Sequence, residues 1–407
     1  MKAQDVLFSI FTPEGRENPF PALARLREIA PAYYDGDLDM VFLTSYADCQ
    51  SVLSDPSFAT PDAQWCRDRH PEWREHPSAE FFYSSLLLAN DADHSRLRRL
   101  VGRGFTPRRV AALEPAVLAT TDRLLDGLAD AASHGSAADF QELVGLPLPV
   151  SVVGDLIGVP ATDQPGFSQL GQDATRLLEP VRSPEDWVRT DRAVGELRSY
   201  FLELLAHRER RPADDLTSAL LEAGDEDTSR AELADLLLLV FVAGFETTTS
   251  LLGLTVHALL RHPDQLGLLL ADPGAVPGSV EESLRWDGPV HMTERVARRA
   301  TRIRGVEVPR GASVTTVLSA ANRDPQEFAD PDRFDVRRTG TRLLSFAAGP
   351  HFCMGAALAR LEASVLVRRL FERFPGLAPA GPPVRRDSVT LRSFDRLPVT
   401  VRAVAAA

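Results

Sequence analysis

The stretch FAAGPHFCMG, Phe346 to Gly355, holds one of only three cysteines in a chain of 407 residues, Cys353. Small residues and Pro350 surround it, so the backbone there can turn tightly and approach a neighbouring group closely. The residues that follow, AALARLEASVLVRRLF, put Leu358, Leu361, Val365 and Leu366 on one face of a helix. The cysteine is therefore expected on a rigid loop at the N-terminal end of that helix, where the helix dipole favours a thiolate. A thiolate is either a metal ligand or a nucleophile, and the loop alone leaves both open.

A chain of this length can bury a large core. No linker divides it: the stretch richest in Pro and Gly, FPGLAPAGPPVRRD from Phe374, reads as a loop near the C-terminus, and no repeat stands out. A single domain over residues 1–407 is the expectation. With 57 acidic against 45 basic residues the net charge is −12, which opposes a general nucleic-acid footprint. Cys49, Cys66 and Cys353 are too far apart in sequence for a disulfide framework or a CxxC zinc site. The N-terminus carries no signal-peptide cleavage region, and LLLLVFVAGF is too short to cross a bilayer unaided. A soluble, cytoplasmic protein without a membrane anchor is expected.

Helical periodicity dominates. PFPALARLREIA reads as a first helix, and long periodic stretches run over Pro107 to Ala132, Arg189 to Arg210 and Arg230 to Leu260. AYYDGDLDMVFLT reads as a hairpin turned at Asp35-Gly36, and extended segments return at RVARRATRIRGVEVPRGASVTTVLS and SVTLRSFDRLPVTVRA. The fold class is mainly α with small β-sheets.

Three further segments carry chemistry. LLLLVFVAGFETTTSLLG is apolar enough for a core helix, yet it holds Glu246, Thr247, Thr248 and Thr249. Buried polar groups are costly unless paired or used. Ala243 and Thr247 share a face and Gly244 has no side chain, so a recess opens beside a hydroxyl with a carboxyl next to it. That pair suits proton delivery to a bound molecule; a kinked helix with threonines bonded back to its carbonyls is the other reading. In EESLRW, Glu282 and Arg285 meet at i and i+3. DADHSRLRRLVGRGFTPRR has six arginines from Arg96 to Arg109 without an intervening acid, with His94 and Arg98 at i and i+4. In an acidic protein this is an anion site, a dock for an acidic partner, or a solvated basic face.

Together HSRLR, AGFETT, ESLR, PDRF and FAAGPHFCMG, in that order along nearly the whole chain, resemble the signatures of the cytochrome P-450 superfamily, in particular its soluble bacterial heme-thiolate monooxygenases. The resemblance implies the cytochrome P-450 fold, with heme b buried between the long central helix and the Cys-ligand loop. It makes Cys353 the proximal ligand of the iron, with Phe346, Gly349, His351 and Gly355 shaping the loop. It places heme-propionate partners at His94, Arg98, Arg295 and His351, and puts Ala243 and Gly244 over the cofactor. Thr247 would hydrogen-bond dioxygen and Glu246 relay protons, while Glu282, Arg285 and Arg333 would form a buried structural network. One departure is visible: the family's Phe-Gly is Phe346-Ala347 here, which strains the turn if it needs a positive φ.

By position, Ala243, Val290, Met292, Phe394 and the segment from Thr60 to Leu88 are the substrate candidates. The resemblance implies O2 and a small organic substrate, with hydroxylation in secondary metabolism as the leading reading. Oxidative coupling, cyclisation or desaturation by the same heme is the alternative, and a noncatalytic heme sensor or a cysteine hydrolase lies further off. With no flavin or iron–sulfur domain in the chain, electrons are expected from a separate ferredoxin and its reductase, docked on the arginines from Arg96 to Arg109.

Overall fold

The computed structural model describes residues 2–69, 71–179, 183–340 and 342–401. They form two compact units, each assembled from segments far apart in sequence. The first comprises Met1–Pro61, His257–Cys353 and Arg385–Ser393; the second comprises Asp62–Val256, Met354–Val384 and Phe394–Ala407.

A five-stranded mixed sheet organises the first unit, in the order Ala32–Asp35, Met40–Leu43, Ser313–Thr316, Thr293–Ala297, Phe58–Ala59. The expected hairpin forms, but its loop takes four residues and not a two-residue turn at Asp35-Gly36. The Asp35 carboxylate accepts from the N–H groups of Asp37 and Leu38, and Asp39 closes the loop at φ 49°. One face of the sheet buries Val41, Leu43 and Val314 against Tyr46, Cys49, Val52, Leu318 and Phe328.

Below this sheet the Val276–Trp286 helix carries the ESLR motif. Arg285 makes five hydrogen bonds. Two go to the Glu282 carboxylate at 2.7 and 2.8 Å, and three to the carbonyls of Asn322, Pro331 and Arg333. The second cation on Glu282 is Arg338, at 3.1 Å, and not the expected Arg333. The Arg333 side chain is exposed; its contribution is the carbonyl, which accepts from both Arg285 and Arg338. The reason lies in the turn at 330–338: Asp330 sits at φ 46°, and the chain comes back so that Arg338, five residues on, enters the buried site.

The second unit is helical. The stretch expected as one helix over Pro107 to Ala132 breaks into Pro107–Ala112 and Glu114–Ala131. Pro115 has no N–H to bond to residue 111, so the helix ends and restarts with the proline in its first turn, where that loss is harmless. The helix expected from Arg189 begins earlier, as Pro184–Arg210. Ser183 and Asp186 form a reciprocal capping box there, with contacts of 3.1 and 3.0 Å. The long helix, Arg230–Arg261, has the length and apolarity of a membrane span, but 72% of its most apolar window is buried within this fold, as in a core helix. A three-stranded sheet of Ala138–Asp139, Pro398–Val401 and Leu377–Pro379 completes the unit.

The Ala356–Arg373 helix buries Leu358, Val365, Leu366 and Leu370, and with them the carboxyl of Glu362, whose Oε2 finds no hydrogen bond. Burial pushes that carboxyl up to about 8. Folding therefore retains a proton that the unfolded chain releases above its ordinary carboxyl range, so this group costs stability as pH rises from about 4.5 to about 8.

Two stability measurements follow from these buried charges. Glu282→Ala leaves the buried Arg285 guanidinium without its carboxylate and should lower the denaturation free energy by ~3–5 kcal/mol. Arg333→Ala keeps its carbonyl and should stay within ~0.5 kcal/mol of wild type; a loss for Arg333→Ala comparable to that for Glu282→Ala would restore its guanidinium to the network. Glu362→Gln should flatten the fall in melting temperature between pH 5 and pH 8. An unchanged slope would mean that the carboxyl finds a partner when folded.

Candidate active site

Of the three cysteines only Cys353 is exposed; Cys49 and Cys66 are fully buried. The Cys49 thiol lies 3.3 Å from the Leu43 carbonyl, and burial raises it far above the thiolate range. Cys353 is thus the thiol placed to meet a ligand.

Its loop is anchored from below. The Ser345 hydroxyl donates to the Leu284 carbonyl on the ESLR helix at 2.7 Å. Asn322 accepts from the Leu344 N–H at 2.9 Å and donates to Ser345 at 2.8 Å. The loop then folds on itself, with Cys353 N–H on the Phe346 carbonyl at 3.0 Å and Phe352 N–H on the Gly349 carbonyl at 3.1 Å. Gly349 has φ +70°, and a Cβ there would lie 2.4 Å from the Leu53 carbonyl oxygen, so the position requires glycine. Ala347 has φ 58°, the left-handed conformation in which an L side chain is strained. Phe346 and His351 are half-buried beside the exposed cysteine.

In the same unit Arg295 is only 4% exposed and makes no ion pair among the described residues. One amino group donates to the Glu294 carbonyl at 2.7 Å, and burial lowers the guanidinium to about 10. A buried cation without a carboxylate is costly, and an anionic ligand group would relieve it.

The second unit presents the other predicted residues. On the long helix Ala243 is exposed and Thr247 half-buried, although Phe241, Val242, Phe245, Glu246, Thr248 and Thr249 around them are buried. The strip that opens is thus one methyl group and one hydroxyl, with the Glu246 carboxyl within the core behind it. The Thr247 hydroxyl donates to the Ala243 carbonyl at 2.7 Å, the back-bonded form of this helix. A Cβ at Gly244 would meet Val153 at 3.0 Å, so the missing side chain also eases helix packing. His94 is buried on the Asp91–Gly102 helix, and burial and then neighbouring Arg98 lower its imidazole. Gly355 caps the Ala356–Arg373 helix, accepting from the Ala359 N–H at 2.9 Å.

Of the substrate candidates, Val290 and Met292 are half-buried. Phe394 is 1% exposed and one of the largest fully buried side chains, so it is core and not a substrate contact. Two residues that hold the loop and its scaffold, Asn322 and Arg338, carry no sequence signal of their own. Each acts through chain turns that local patterning does not reveal.

In the first unit the exposed Cys353 thiol and the buried Arg295 guanidinium are the kinds of donor that a heme iron and a heme propionate require. The residues present fit that group. The family profile for cytochrome P450 matches residues 28–266 and 276–390. The chain is 38% identical over 389 residues to 6-deoxyerythronolide B hydroxylase of Saccharopolyspora erythraea, covering 92% of this chain and 94% of that protein. It is also 38% identical over 396 residues to vitamin D(3) 25-hydroxylase of Pseudonocardia autotrophica, covering 95% and 94%. The crystal structure of P450BioI in complex with an acyl carrier protein ligated to hexadec-9Z-enoic acid superposes with TM-score 0.89 at 32% identity, over 96% of this chain and 99% of that one.

The chain belongs to the cytochrome P450 family. It is a heme-thiolate monooxygenase, an oxidoreductase.

The strain at Ala347 is testable. Left-handed backbone costs an alanine ~1–2 kcal/mol, against ~0.4–1 kcal/mol of extra unfolded-state entropy for glycine. Ala347→Gly should therefore stabilise the protein by ~0.5–1 kcal/mol in chemical denaturation. Destabilisation would mean that the turn is not strained in solution.

Proposed function

We propose that Cys353 would supply the thiolate ligand of heme b and that the enzyme hydroxylates a small natural product, with electrons from a ferredoxin and its reductase. The observation that carries the ligand assignment is the exposed Cys353, fixed on a loop that demands glycine at 349 and a left-handed residue at 347. Heme ligated in this way supplies reductive activation of O2 and transfer of one oxygen atom to a C–H bond, with thiolate donation assisting O–O cleavage, an established property of cytochromes P450.

The chain's own residues do the rest. Arg295 and His351 in the first unit, and His94 and Arg98 in the second, would each offer a charge-assisted hydrogen bond to a propionate. Thr247, whose hydroxyl donates to the Ala243 carbonyl, would donate a hydrogen bond to dioxygen, and the buried Glu246 would hold the next proton in a water-poor core. Ala243 keeps the helix surface low enough for dioxygen and substrate to lie against it, and Val290 and Met292 supply apolar contact to the substrate. The names of the relatives, hydroxylases of 6-deoxyerythronolide B and of vitamin D(3), support a largely apolar, multi-carbon skeleton.

The electron donor meets the basic segment. Arg96 is committed to Glu232, and Arg109 to Asp214 at 3.1 Å. Arg99, Arg103 and Arg108 are exposed and enter no ion pair among the described residues. A Cβ at Gly102 would come within 3.7 Å of Met354 Cε, so these cations lie close to the residue that follows the cysteine. An acidic ferredoxin in the cytoplasm is the partner of matching charge.

Two experiments test this reading. Thr247→Ala should cut product formation by ~10²-fold or more while dioxygen consumption and substrate binding persist, because proton delivery alone is lost. Full activity in that variant would remove Thr247 from the mechanism. Arg99→Glu with Arg103→Glu should slow reduction by ferredoxin and weaken its salt dependence, leaving substrate affinity intact. Unchanged reduction rates at low salt would place the dock elsewhere.

A further inference from the structure

The long helix of the second unit carries a polar stripe on a face apart from Ala243 and Thr247. Glu246, Thr249 and Gly253 stand at i, i+3 and i+7, so they follow one another along one line, between buried Val242 and Val256. Thr249 is the unusual member. Two hydroxyls near it, Thr247 and Ser250, bond back to the carbonyls of Ala243 and Glu246 at 2.7 and 2.9 Å. Thr249 is only 2% exposed, and its hydroxyl has no hydrogen-bond partner among the described residues. A buried hydroxyl in that state costs stability.

A second such atom lies one turn further on. Gln141 is 3% exposed; its Nε2 donates to the Phe394 carbonyl at 3.2 Å, and its Oε1 has no donor among the described residues. The amide is seated between two glycines. A Cβ at Gly253 would lie 2.8 Å from both Oε1 and Nε2, and one at Gly145 would overlap Oε1. Because a helical Cα–Cβ bond leans toward the N-terminus, the space that Gly253 leaves lies over the turn between Thr249 and Gly253. The Gln141 backbone opens there in a π-turn, with its carbonyl accepting from the Leu146 N–H at 2.9 Å.

Two buried polar atoms thus belong to adjacent turns of one helix face, where such neighbours stand ~5–6 Å apart at Cβ. That spacing is too long for a direct bond and matches two hydrogen bonds in series through one water. The Thr249 hydroxyl both donates and accepts, and the Gln141 oxygen accepts, so a single water satisfies both. By the same tilt Thr249 leans over the turn that carries Glu246.

We propose that Thr249 and Gln141 hold a buried water beside Glu246, and that this water positions the Glu246 carboxyl for proton delivery. Thr249 is on this account a positioning residue: it touches neither dioxygen nor substrate and acts through the acid. The inference rests on the proton-bearing role of Glu246 proposed above, and the two are tested separately.

The experiment compares the heme-loaded enzyme with Thr249→Val, Thr249→Ser, Gln141→Met and the Val–Met double variant. Two quantities are read: the melting temperature, and the ratio of hydrogen peroxide to water formed from dioxygen under steady reduction by a ferredoxin–reductase pair. Valine matches threonine in shape, so the sign of its effect decides. Removing a partnerless hydroxyl raises the melting temperature, whereas removing one that binds a water lowers it. Thr249→Val should melt lower and raise the peroxide ratio by about 2–10-fold, the factor one hydrogen bond is worth. Thr249→Ser should restore both, and the double variant should lose no more than the poorer single one, because either change releases the same water. A raised melting temperature in Thr249→Val, additive losses in the double variant, or serine as poor as valine would each overturn the water pair. A lowered melting temperature with an unchanged peroxide ratio, while Thr247→Ala raises that ratio, would overturn the link to Glu246 alone. An unchanged ratio in Thr247→Ala as well would overturn the proposed proton path with it.

Discussion

The structure that presents Cys353 depends on one buried ion pair. Arg285 and Glu282 are fully withdrawn from water, and an isolated charge in such a place costs several kcal/mol. The fold meets that cost by using every guanidinium donor: two on the carboxylate and three on carbonyls from the 322–333 segment. Arg338 and the Asp335 N–H occupy the carboxylate from the other side. The pair thus fixes a long irregular segment that has little regular structure of its own. From this platform Leu284 and Asn322 hold Ser345 and Leu344, and the cysteine loop begins two residues later. A network that carries no chemistry decides where the thiol points.

Much of this was legible in the sequence because the strong signals were local. The cysteine loop, the helix after it and the long helix with its embedded acid and hydroxyl all lie where periodicity and glycine placement put them. The suspected strain at Ala347 follows from a single residue in a turn, and the backbone indeed takes φ 58° there. The errors share a cause. The PDRF motif points to Arg333, and a contiguous motif cannot show that a following turn brings Arg338 inward. Phe394 suited a pocket wall by position, yet a large ring between the Arg392 and Leu397 positions was drawn into the core. Pro115 should have broken the helix over Pro107 to Ala132, and the apolar periodicity concealed it.

The site residues divide by physical role. A thiolate ligand must be exposed and pinned, as Cys353 is by the Phe346 carbonyl. A proton relay must be shielded from bulk water yet end in a reachable hydroxyl, which describes Glu246 behind half-buried Thr247. A propionate partner is a cation whose burial makes sense only with an anion, and Arg295 fits that description most clearly.

The measurement that bears most directly on the central claim is the absorption spectrum of the reduced protein under carbon monoxide, wild type beside Cys353→Ser. A strongly red-shifted Soret band in the wild type, absent from the variant while heme is retained, is the result that thiolate ligation by Cys353 requires. The same red-shifted band in both proteins, or an unshifted heme–carbon monoxide band in the wild type, would contradict it.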